Sequence, residues 1–515
     1  MHNFITRHAS KITGVLKGFD RLLFRGHLSR LNFADGVAMF LRSQGALLKN
    51  FGGFVEQVTT MIRQEVATIV DATGRPALYL ESSAVRKEDV AKRLLKERPI
   101  KAGLVCILSC VEPCMTWQVF RSRKAQTQEL RRRPGKCLHH YFYFLDPRFG
   151  WMHVRVQTWM PYTVQVCLNG REWLANQLDE IGLGYRRADN CFLSLDDVPR
   201  AQQLMDGMVS LPWRRILDQF VTTVNPVLDV IADQALASYR WSLHQCEFAT
   251  DIMFKRADDL VALYPSLARY AIADLGSRDT MRFLGKRLVE TFRGEVITNY
   301  KHRPEGICVR HATSGNSIKM YDKQGSVLRV ETTTNKPGEF KRRRRAEGNP
   351  DSERKLRPLR KGLADMKLRA KASADANARY LDALATVDCD RKLEDILHKV
   401  LQRVDLGPRK VRALKPWSNP DVELLRLINR GEFIANGFRN RDLLPLVAAT
   451  ALDDPDDRRK AAAKLSRHLR ILCAHNVIRR IEGTHRYVVT ANGRVLIAAV
   501  VAALDASVSK LRQCA

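Results

Sequence analysis

Residues 454–489 read DPDDRRKAAAKLSRHLRILCAHNVIRRIEGTHRYVV and carry the strongest local pattern in the chain. Asp454-Pro455 is typical of a helix start, because proline suits the first turn, where its missing N–H leaves no hydrogen bond unmade. Apolar residues then recur every three or four positions, which predicts one amphipathic helix from Arg458 to His475. Its buried stripe comprises Ala461, Leu465, Leu469 and Leu472.

Two short strands are expected after this helix, over 477–481 and 485–489, joined by a turn at Glu482-Gly483-Thr484. An apolar helix should follow Asn492-Gly493, and Asn440–Leu444 is expected to supply the helix before the basic one. The order of helix, helix, two-stranded hairpin and helix predicts a winged helix-turn-helix domain over residues 416–515.

This pattern resembles the MarR-like winged-helix regulators, in which the basic helix enters the major groove and the wing lies against the DNA backbone. The resemblance implies nucleic-acid contacts from the helix residues Lys460, Lys464, Arg467, His468 and Arg470, and from the wing residues Arg479, Arg480, His485 and Arg486. Two alternatives stay open. Winged helices also bind proteins or RNA, and a charged outer face is often only a solvated one.

The charge of the whole chain indicates a polyanionic partner. Its 515 residues include 86 Lys and Arg against 55 Asp and Glu, a formal net charge of +31. An excess of this size repels itself unless phosphates or other anions offset it. We therefore expect a nucleic acid, with DNA favoured and RNA as the alternative. A ribosome-associated protein, a membrane-surface protein and a basic enzyme are further alternatives.

The basic run Lys341, Arg342, Arg343, Arg344 and Arg345 is predicted to be a solvated, flexible arm that also contacts nucleic acid. Eleven cysteines without a repeating framework indicate reduced thiols. The longest apolar run, Val495–Leu504, is too short to span a bilayer. These features predict a soluble cytoplasmic protein without a membrane partner, associated with the nucleoid if it binds DNA. The oligomeric state stays open.

The order of predicted elements indicates an α+β fold with four consecutive regions. Residues 1–100 are expected to be mainly helical, since Ile12, Leu16 and Phe19 recur at helical spacing near the N-terminus. Residues 101–340 are expected to form an α+β core with antiparallel sheets. Residues 341–415 are then a basic linker with helices, and residues 416–515 are the winged domain.

The most chemically suggestive segment of the core is 315–331, which reads as a β-hairpin. A three-residue loop, such as Lys323-Gln324-Gly325, puts its apolar residues on one face. The same register brings Lys319, Tyr321, Arg329 and Glu331 together on the other face. A tyrosine nucleophile, a carboxylate metal ligand and two phosphate-binding cations suit phosphoryl transfer.

The Tyr-Asp-Lys and Leu-Arg-x-Glu segments of this hairpin resemble phage and plasmid replication initiators of the rolling-circle type. That resemblance implies Tyr321 as the nucleophile and Glu331 as a ligand of Mg²⁺ or Mn²⁺. The chain departs from the family in having no His-x-His pair, because His139 and His140 are adjacent. The alternative is a half-exposed sheet carrying ordinary polar residues.

Other constellations are weaker. Cys106, Cys110 and Cys114, with Cys137 and His139 further on, fit structural zinc imperfectly, and we expect buried free thiols instead of zinc. Glu247 and Asp251 are spaced to share one face of a helix.

The leading hypothesis is a DNA-binding protein of a bacterium or a mobile element. Its core would nick or rejoin DNA with a bound metal, in the manner of a replication initiator or a transposase. Its winged domain would select the site. The rivals are a non-enzymatic transcription regulator and an RNA-binding or RNA-guided protein.

Overall fold

A computed structural model describes residues 1–121, 127–273, 275–285, 296–304, 306–313, 315–346, 349, 351–385, 393–406, 409–429, 433, 437–448, 454–481 and 484–506. The fold is α+β, as predicted. Among the described residues, no helix is both long enough and apolar enough to cross a membrane.

The strands, in chain order, are β1 Ile12–Leu28, β2 Ala77–Leu80, β3 Gly103–Arg121, β4 Gln128–Asp146, β5 Gly150–Gln157, β6 Val164–Asn169, β7 Tyr185–Ala188, β8 Cys191–Leu195, β9 Tyr239–Phe254, β10 Ile297–Arg303, β11 Gly306–Thr313, β12 Asn316–Lys323, β13 Val327–Thr334, β14 Lys341–Arg344, β15 Lys355–Pro358, β16 Val404–Leu406, β17 Arg409–Val411, β18 Ile478–Arg480 and β19 Tyr487–Val489.

The helices are α1 His2–Arg7, α2 Ala34–Ser43, α3 Phe51–Thr73, α4 Lys87–Glu97, α5 Gly170–Glu180, α6 Val198–Gly207, α7 Trp213–Val224, α8 Val227–Gln234, α9 Ala257–Ala273, α10 Ser277–Phe283, α11 Met366–Leu384, α12 Leu393–His398, α13 Asp421–Ile428, α14 Asn440–Val447, α15 Pro455–Ala474 and α16 Ala491–Asp505.

The chain divides into two compact units instead of the four consecutive regions that were expected. The first, the sheet unit, comprises residues 14–251 and 333–374. The second, the hairpin unit, comprises residues 1–13, 252–332 and 375–515. Each unit is assembled from segments that are distant in sequence, so composition shifts along the chain do not mark the boundaries.

In the sheet unit the strands lie in the order β9, β1, β6, β5, β4, β3 and β2. β2 runs parallel to β3, whereas the pairs β3–β4, β4–β5, β5–β6 and β6–β1 are antiparallel. One row of directly paired residues is buried throughout: Ile107, Phe142, Val154, Val166 and Phe24. The next row points to the opposite face: Leu108, Tyr141, Arg155, Gln165 and Arg25. Side chains alternate between the two faces along a strand, so the first row belongs to the apolar core. The second row, on the other face, is apolar on β3 and becomes polar from β5 to β1.

The first long element is a strand where a helix was predicted. Residues 12–28 form β1, in which Leu22, Phe24, Gly26 and Leu28 are buried and the alternate residues between them are half-buried. The apolar residues of this segment satisfy both a helical and an alternating pattern, so periodicity alone does not separate them. Pairing of β1 with β6 decides in favour of the strand. The rest of the N-terminal region does contain the expected helices, α2, α3 and α4.

The junction of β6 and α5 contacts both β1 and β9 of the sheet unit. The Asn169 side chain accepts hydrogen bonds from the backbone N–H groups of Arg171 and Glu172 and so caps α5. A Cβ at Gly170 would lie 2.0 Å from the carbonyl oxygen of Phe19, so only glycine fits there. Arg171 forms an ion pair with Asp251 of β9 at 2.9 Å, and both side chains are fully buried.

In the hairpin unit, strands β10, β11, β12 and β13 are neighbours in that order. The Tyr264 hydroxyl of α9 donates to the carbonyl oxygens of Ile307 and Met320, at 2.8 and 3.2 Å. His311 lies 3.2 Å from the hydroxyl of Tyr380 on α11. Helices α9 and α11 are therefore anchored to the strands by buried hydroxyl groups.

The basic run from Lys341 is not a free arm over its first four residues. Lys341–Arg344 form β14, which pairs antiparallel with β15. Arg344 also lies 3.6 Å from the buried carboxylate of Asp365. Backbone pairing and this ion pair hold a segment that its composition alone predicts to be solvated and flexible.

We expect Arg171→Met to lower the free energy of unfolding of the sheet unit by about 3–5 kcal/mol, because it leaves the buried Asp251 carboxylate without its guanidinium. Urea denaturation followed by tryptophan fluorescence measures the change. Lys92→Met is the control, because Lys92 pairs with Glu88 on the surface of α4. Its effect should stay within about 1 kcal/mol. Equal losses in the two variants would contradict a structural role for the buried pair.

Candidate nucleic-acid interface and hairpin site

The basic helix α15 is built as the sequence predicts. The Asp454 side chain accepts from the N–H groups of Asp456 and Asp457, and Pro455 occupies the first turn. Leu465, Leu469 and Leu472 are buried, and Ala461 is half-buried. They join a core formed with α12, α13, α14 and α16. One face of the helix is therefore committed to packing, which leaves the opposite face to solvent.

The two short strands that the sequence predicts as a wing form the hairpin of β18 and β19. Ile478 pairs with Val489, and Arg480 pairs with Tyr487. Phe438, just before α14, adds a backbone bridge to Tyr487, so a third short segment lies beside the hairpin. Arg480 donates to the carbonyl oxygen of Thr484 at 2.7 Å, which holds its guanidinium at the wing. The turn residues Glu482 and Gly483 lie outside the described residues.

Most of the predicted nucleic-acid residues of this module are exposed: Lys460, Lys464, Arg467, Arg470, Arg479, Arg480 and His485. Lys460, Lys464 and Arg467 are spaced to share one face of α15. Two of the predicted residues are not exposed. His468 is half-buried and close to the Arg412–Asp421 ion pair, and Arg486 is half-buried and donates to the Gly437 carbonyl oxygen at 3.1 Å. The neighbours of these two side chains therefore lie within the module itself.

In the arginine run, Lys341, Arg343 and Arg345 are exposed, while Arg342 and Arg344 are half-buried. The alternation follows from the strand geometry of β14, in which successive side chains point to opposite sides. The run offers fewer free cations to a ligand than its composition suggests, since Arg344 already has a carboxylate partner.

The 316–334 hairpin brings three of the four predicted residues, Lys319, Tyr321 and Glu331, close together. β12 ends at Lys323 and β13 begins at Val327, so the loop holds three residues, one position later than the predicted loop. Lys319 Nζ and Glu331 Oε1 form an ion pair at 2.7 Å across the two strands. Lys319 also lies 6.0 Å from the ring centroid of Tyr321. The register therefore brings these residues together, as an odd loop length requires.

This face is more enclosed than a half-exposed sheet. Tyr321, Arg329 and Glu331 are 6%, 1% and 3% exposed. Burial raises the pKa of the Cys308 thiol. A hydrogen bond from Tyr321 and the charge of Lys319 oppose this rise. Tyr321 thus sits among a thiol, an ammonium group and a paired carboxylate. A phosphate ester would have to enter this enclosed face for the tyrosine to attack it.

The sheet unit holds a pair of carboxylates that the sequence did not bring together. Carboxylate oxygens of Asp20 on β1 and Glu247 on β9 lie within 4.8 Å of each other. The Asn190 amide donates to both oxygens of Asp20, at 3.0 and 2.9 Å. Glu247 and Asp251 lie on a strand and not on the predicted helix, and Asp251 is occupied by Arg171. Only the pairing of sheet strands reveals the Asp20–Glu247 proximity.

Three of the suspected cysteine and histidine residues also converge. The sulfur atoms of Cys114 and Cys137 are 3.2 Å apart, and the Cys137 sulfur is 4.0 Å from His139 Nδ1. Cys106 and Cys110 are buried on the same strand without belonging to this group. Burial raises the pKa of Cys106 to about 12, so that residue behaves as the expected buried thiol.

The adjacent histidines His139 and His140 are deeply buried, at 1% and 3% exposure. Burial is the main cause that lowers the pKa of His139 to about 3 and that of His140 to about 4. The charge of a nearby arginine is the second cause in each case. His140 Nδ1 lies 2.8 Å from the Ser109 hydroxyl. Both imidazoles are therefore neutral near pH 7.

The chain was compared with protein-family models, with curated proteins and with solved structures, and none of the three comparisons finds a match.

We expect the sheet unit to lose stability as the pH falls from about 6.5 to about 4. The unfolded histidines have a pKa of about 6.5, so the unfolded chain binds more protons than the folded one in this window. Each buried histidine then costs about 1.4 kcal/mol per pH unit. Urea denaturation at pH 7.5, 6 and 5 measures the slope, which should decrease in His140→Asn. The exposed His485→Asn should keep the native slope. An unchanged slope in His140→Asn would contradict the assignment.

Proposed function

We propose that the chain is a nucleic-acid-binding protein whose C-terminal module binds duplex DNA as a winged helix. The observation that carries the proposal is the arrangement of α15 and the β18–β19 hairpin. Cations line the outer face of the helix and the adjoining wing, while the opposite helix face is packed into the module core. A helix with exposed cations beside a basic hairpin suits the major groove and the flanking phosphates.

The charge of the module supports a polyanionic ligand. Lys464, Arg467, Arg470 and Arg479 are exposed, and among the described residues no carboxylate lies within 4.0 Å of them. Each such cation that contacts a phosphate releases condensed counterions, which makes binding strongly salt-dependent. A role as a transcription regulator, which binds without cutting, is contained in this proposal. A cytoplasmic location near the nucleoid follows from it.

A second candidate function is metal-dependent strand cleavage in the hairpin unit, with RNA or DNA as substrate. The specific observation that favours it is the convergence of Tyr321, Lys319 and Glu331 on one face. In this hypothesis the Tyr321 hydroxyl gives its proton to water and its oxygen attacks the phosphorus. The bond from phosphorus to one sugar oxygen breaks, so one end of the strand becomes a phosphotyrosine ester and the other leaves as a sugar hydroxyl after taking up a proton. Lys319 and Arg329 offset the phosphate charge. Glu331 would hold Mg²⁺ or Mn²⁺, which prefer oxygen ligands. The Asp20–Glu247 pair of the sheet unit also offers oxygen ligands.

The duplex-binding proposal predicts that Lys464→Ala/Arg467→Ala weakens binding to a duplex oligonucleotide by about tenfold or more. It should also reduce the magnitude of the slope of log affinity against log salt by about 2, because two phosphate contacts are lost. Fluorescence anisotropy at several salt concentrations measures both quantities. Arg426→Ala/Lys399→Ala removes the same charge from exposed positions on α13 and after α12 and should change neither. Equal losses in both double variants would refute a localised helix contact.

The cleavage hypothesis predicts nicking of supercoiled plasmid with Mg²⁺ or Mn²⁺ that falls about a hundredfold or more in Tyr321→Phe and in Glu331→Gln. A covalent protein–DNA adduct should disappear in Tyr321→Phe. Tyr300→Phe and Glu353→Gln are the matched controls, since both side chains are exposed. Absence of cleavage with either metal, while duplex binding persists, would eliminate this candidate and leave the binding protein.

A further inference from the structure

The polar face of the sheet unit carries a concentration of cations that the C-terminal module does not involve. Arg155, Gln165 and Arg25 are directly paired across β5, β6 and β1, so their side chains emerge in one row on the same face. Two strand spacings separate the two arginines, a distance of about 10 Å. The Gln165 amide oxygen accepts from Arg25 Nε and Nη2, at 3.2 and 2.8 Å, in the orientation that satisfies both groups.

Further basic side chains surround this row. We define the cationic tract as Arg25, His27, Arg132, Arg155, Arg240, His244 and Lys361. The tract is continuous. Lys361 Nζ lies 3.5 Å from His244 Nδ1, and the electrostatic neighbours of His27 are Arg132, Arg240 and Arg25. All of these residues belong to the sheet unit.

Like charges dominate the surroundings of these groups. Burial, and then the charges of Arg155 and Arg132, lower the pKa of Arg25. Burial, and then the charges of Arg25, Lys361 and Arg369, lower the pKa of His244 to about 4. The pKa of Lys361 is lowered by burial and by Arg25 and Arg369 as well. The folded protein therefore holds these cations together against their mutual repulsion.

Among the residues that the structure describes, a carboxylate pairs with one member of the tract, Arg155. Arg155 donates to Glu112 at 2.7 Å. In the part of the chain that the structure describes, no carboxylate lies within 4.0 Å of Arg25, Arg132, Arg240 or Lys361. Elsewhere in the sheet unit, partly buried arginines do have such partners, as Arg187 has Glu172 and Arg360 has Asp365. The difference marks the tract as a surface whose counter-charge comes from outside the chain.

We propose that the cationic tract is a second nucleic-acid contact, which binds the phosphodiester backbone of a single strand without reading its sequence. The proposal rests on the proposed nucleic-acid function and extends it from the C-terminal module to the sheet unit. Arginine and lysine side chains offer several N–H donors to phosphate oxygens. The half-buried setting of Arg25, His27 and His244 suits a single backbone at close range.

The experiment uses the full chain with Arg132→Gln/Arg240→Gln/Lys361→Gln, three exposed positions of the tract. The probe is a single-stranded DNA 20-mer of mixed sequence, in anisotropy titrations at several salt concentrations. We expect affinity to fall about tenfold or more and the magnitude of the salt slope to fall by about 2. Arg86→Gln/Arg93→Gln/Arg214→Gln removes the same charge from exposed positions of the same unit and should leave both quantities unchanged.

Separate outcomes decide the two proposals. If the tract variant binds the single strand as the native chain does, while Lys464→Ala/Arg467→Ala still loses duplex binding, the tract proposal is overturned and the module proposal stands. If only the tract variant loses binding, the tract proposal stands and the module proposal fails. A polyglutamate peptide of equal charge is the competitor. Displacement of the single strand at the same charge concentration would overturn the nucleic-acid assignment, because it would show a site for any polyanion.

Discussion

The buried ion pair between Arg171 and Asp251 is the constraint on which the sheet unit depends. Removing two charges from water is costly, and the mutual attraction of Arg171 and Asp251 at 2.9 Å offsets part of that cost. Asn169 and Gly170 provide that geometry by ending β6 and starting α5 against β1. The pair therefore links the helix to β9 and stabilises one particular arrangement of strands over other arrangements of similar hydrophobicity.

The alternation of the sheet follows from this arrangement. The core row from Ile107 to Phe24 buries apolar side chains on one face, and the neighbouring row puts Arg155, Gln165 and Arg25 on the other. Burial of the first row supplies the hydrophobic stabilisation, at about 25 cal/mol per Å² of apolar surface. The side chains of the second row must then lie on the opposite face, because a one-residue shift in strand register would exchange the two faces.

The excess positive charge is handled in two ways. Arg187, Arg344, Arg360 and Arg412 are neutralised by carboxylates within the fold. Among the described residues, Lys464, Arg467 and Arg470 on α15 have no carboxylate within 4.0 Å, and the same holds for Arg25, Arg132, Arg240 and Lys361 of the cationic tract. Both binding proposals follow from that contrast. The net charge of +31 is therefore concentrated on particular surfaces. The location of those surfaces, more than the total charge, indicates where a polyanion binds.

The sequence by itself determined the local elements whose signals are short-range. The helix start at Asp454-Pro455, the leucine stripe of α15 and the odd length of the loop between β12 and β13 follow from capping, periodicity and register. The position of that loop, one residue later than predicted, does not. Tertiary structure alone decided the strand at residues 12–28, the ordering of Lys341–Arg344 and the approach of Asp20 to Glu247. The physical reason is that pairing between strands distant in the chain can override local propensity, and no local pattern records the partner.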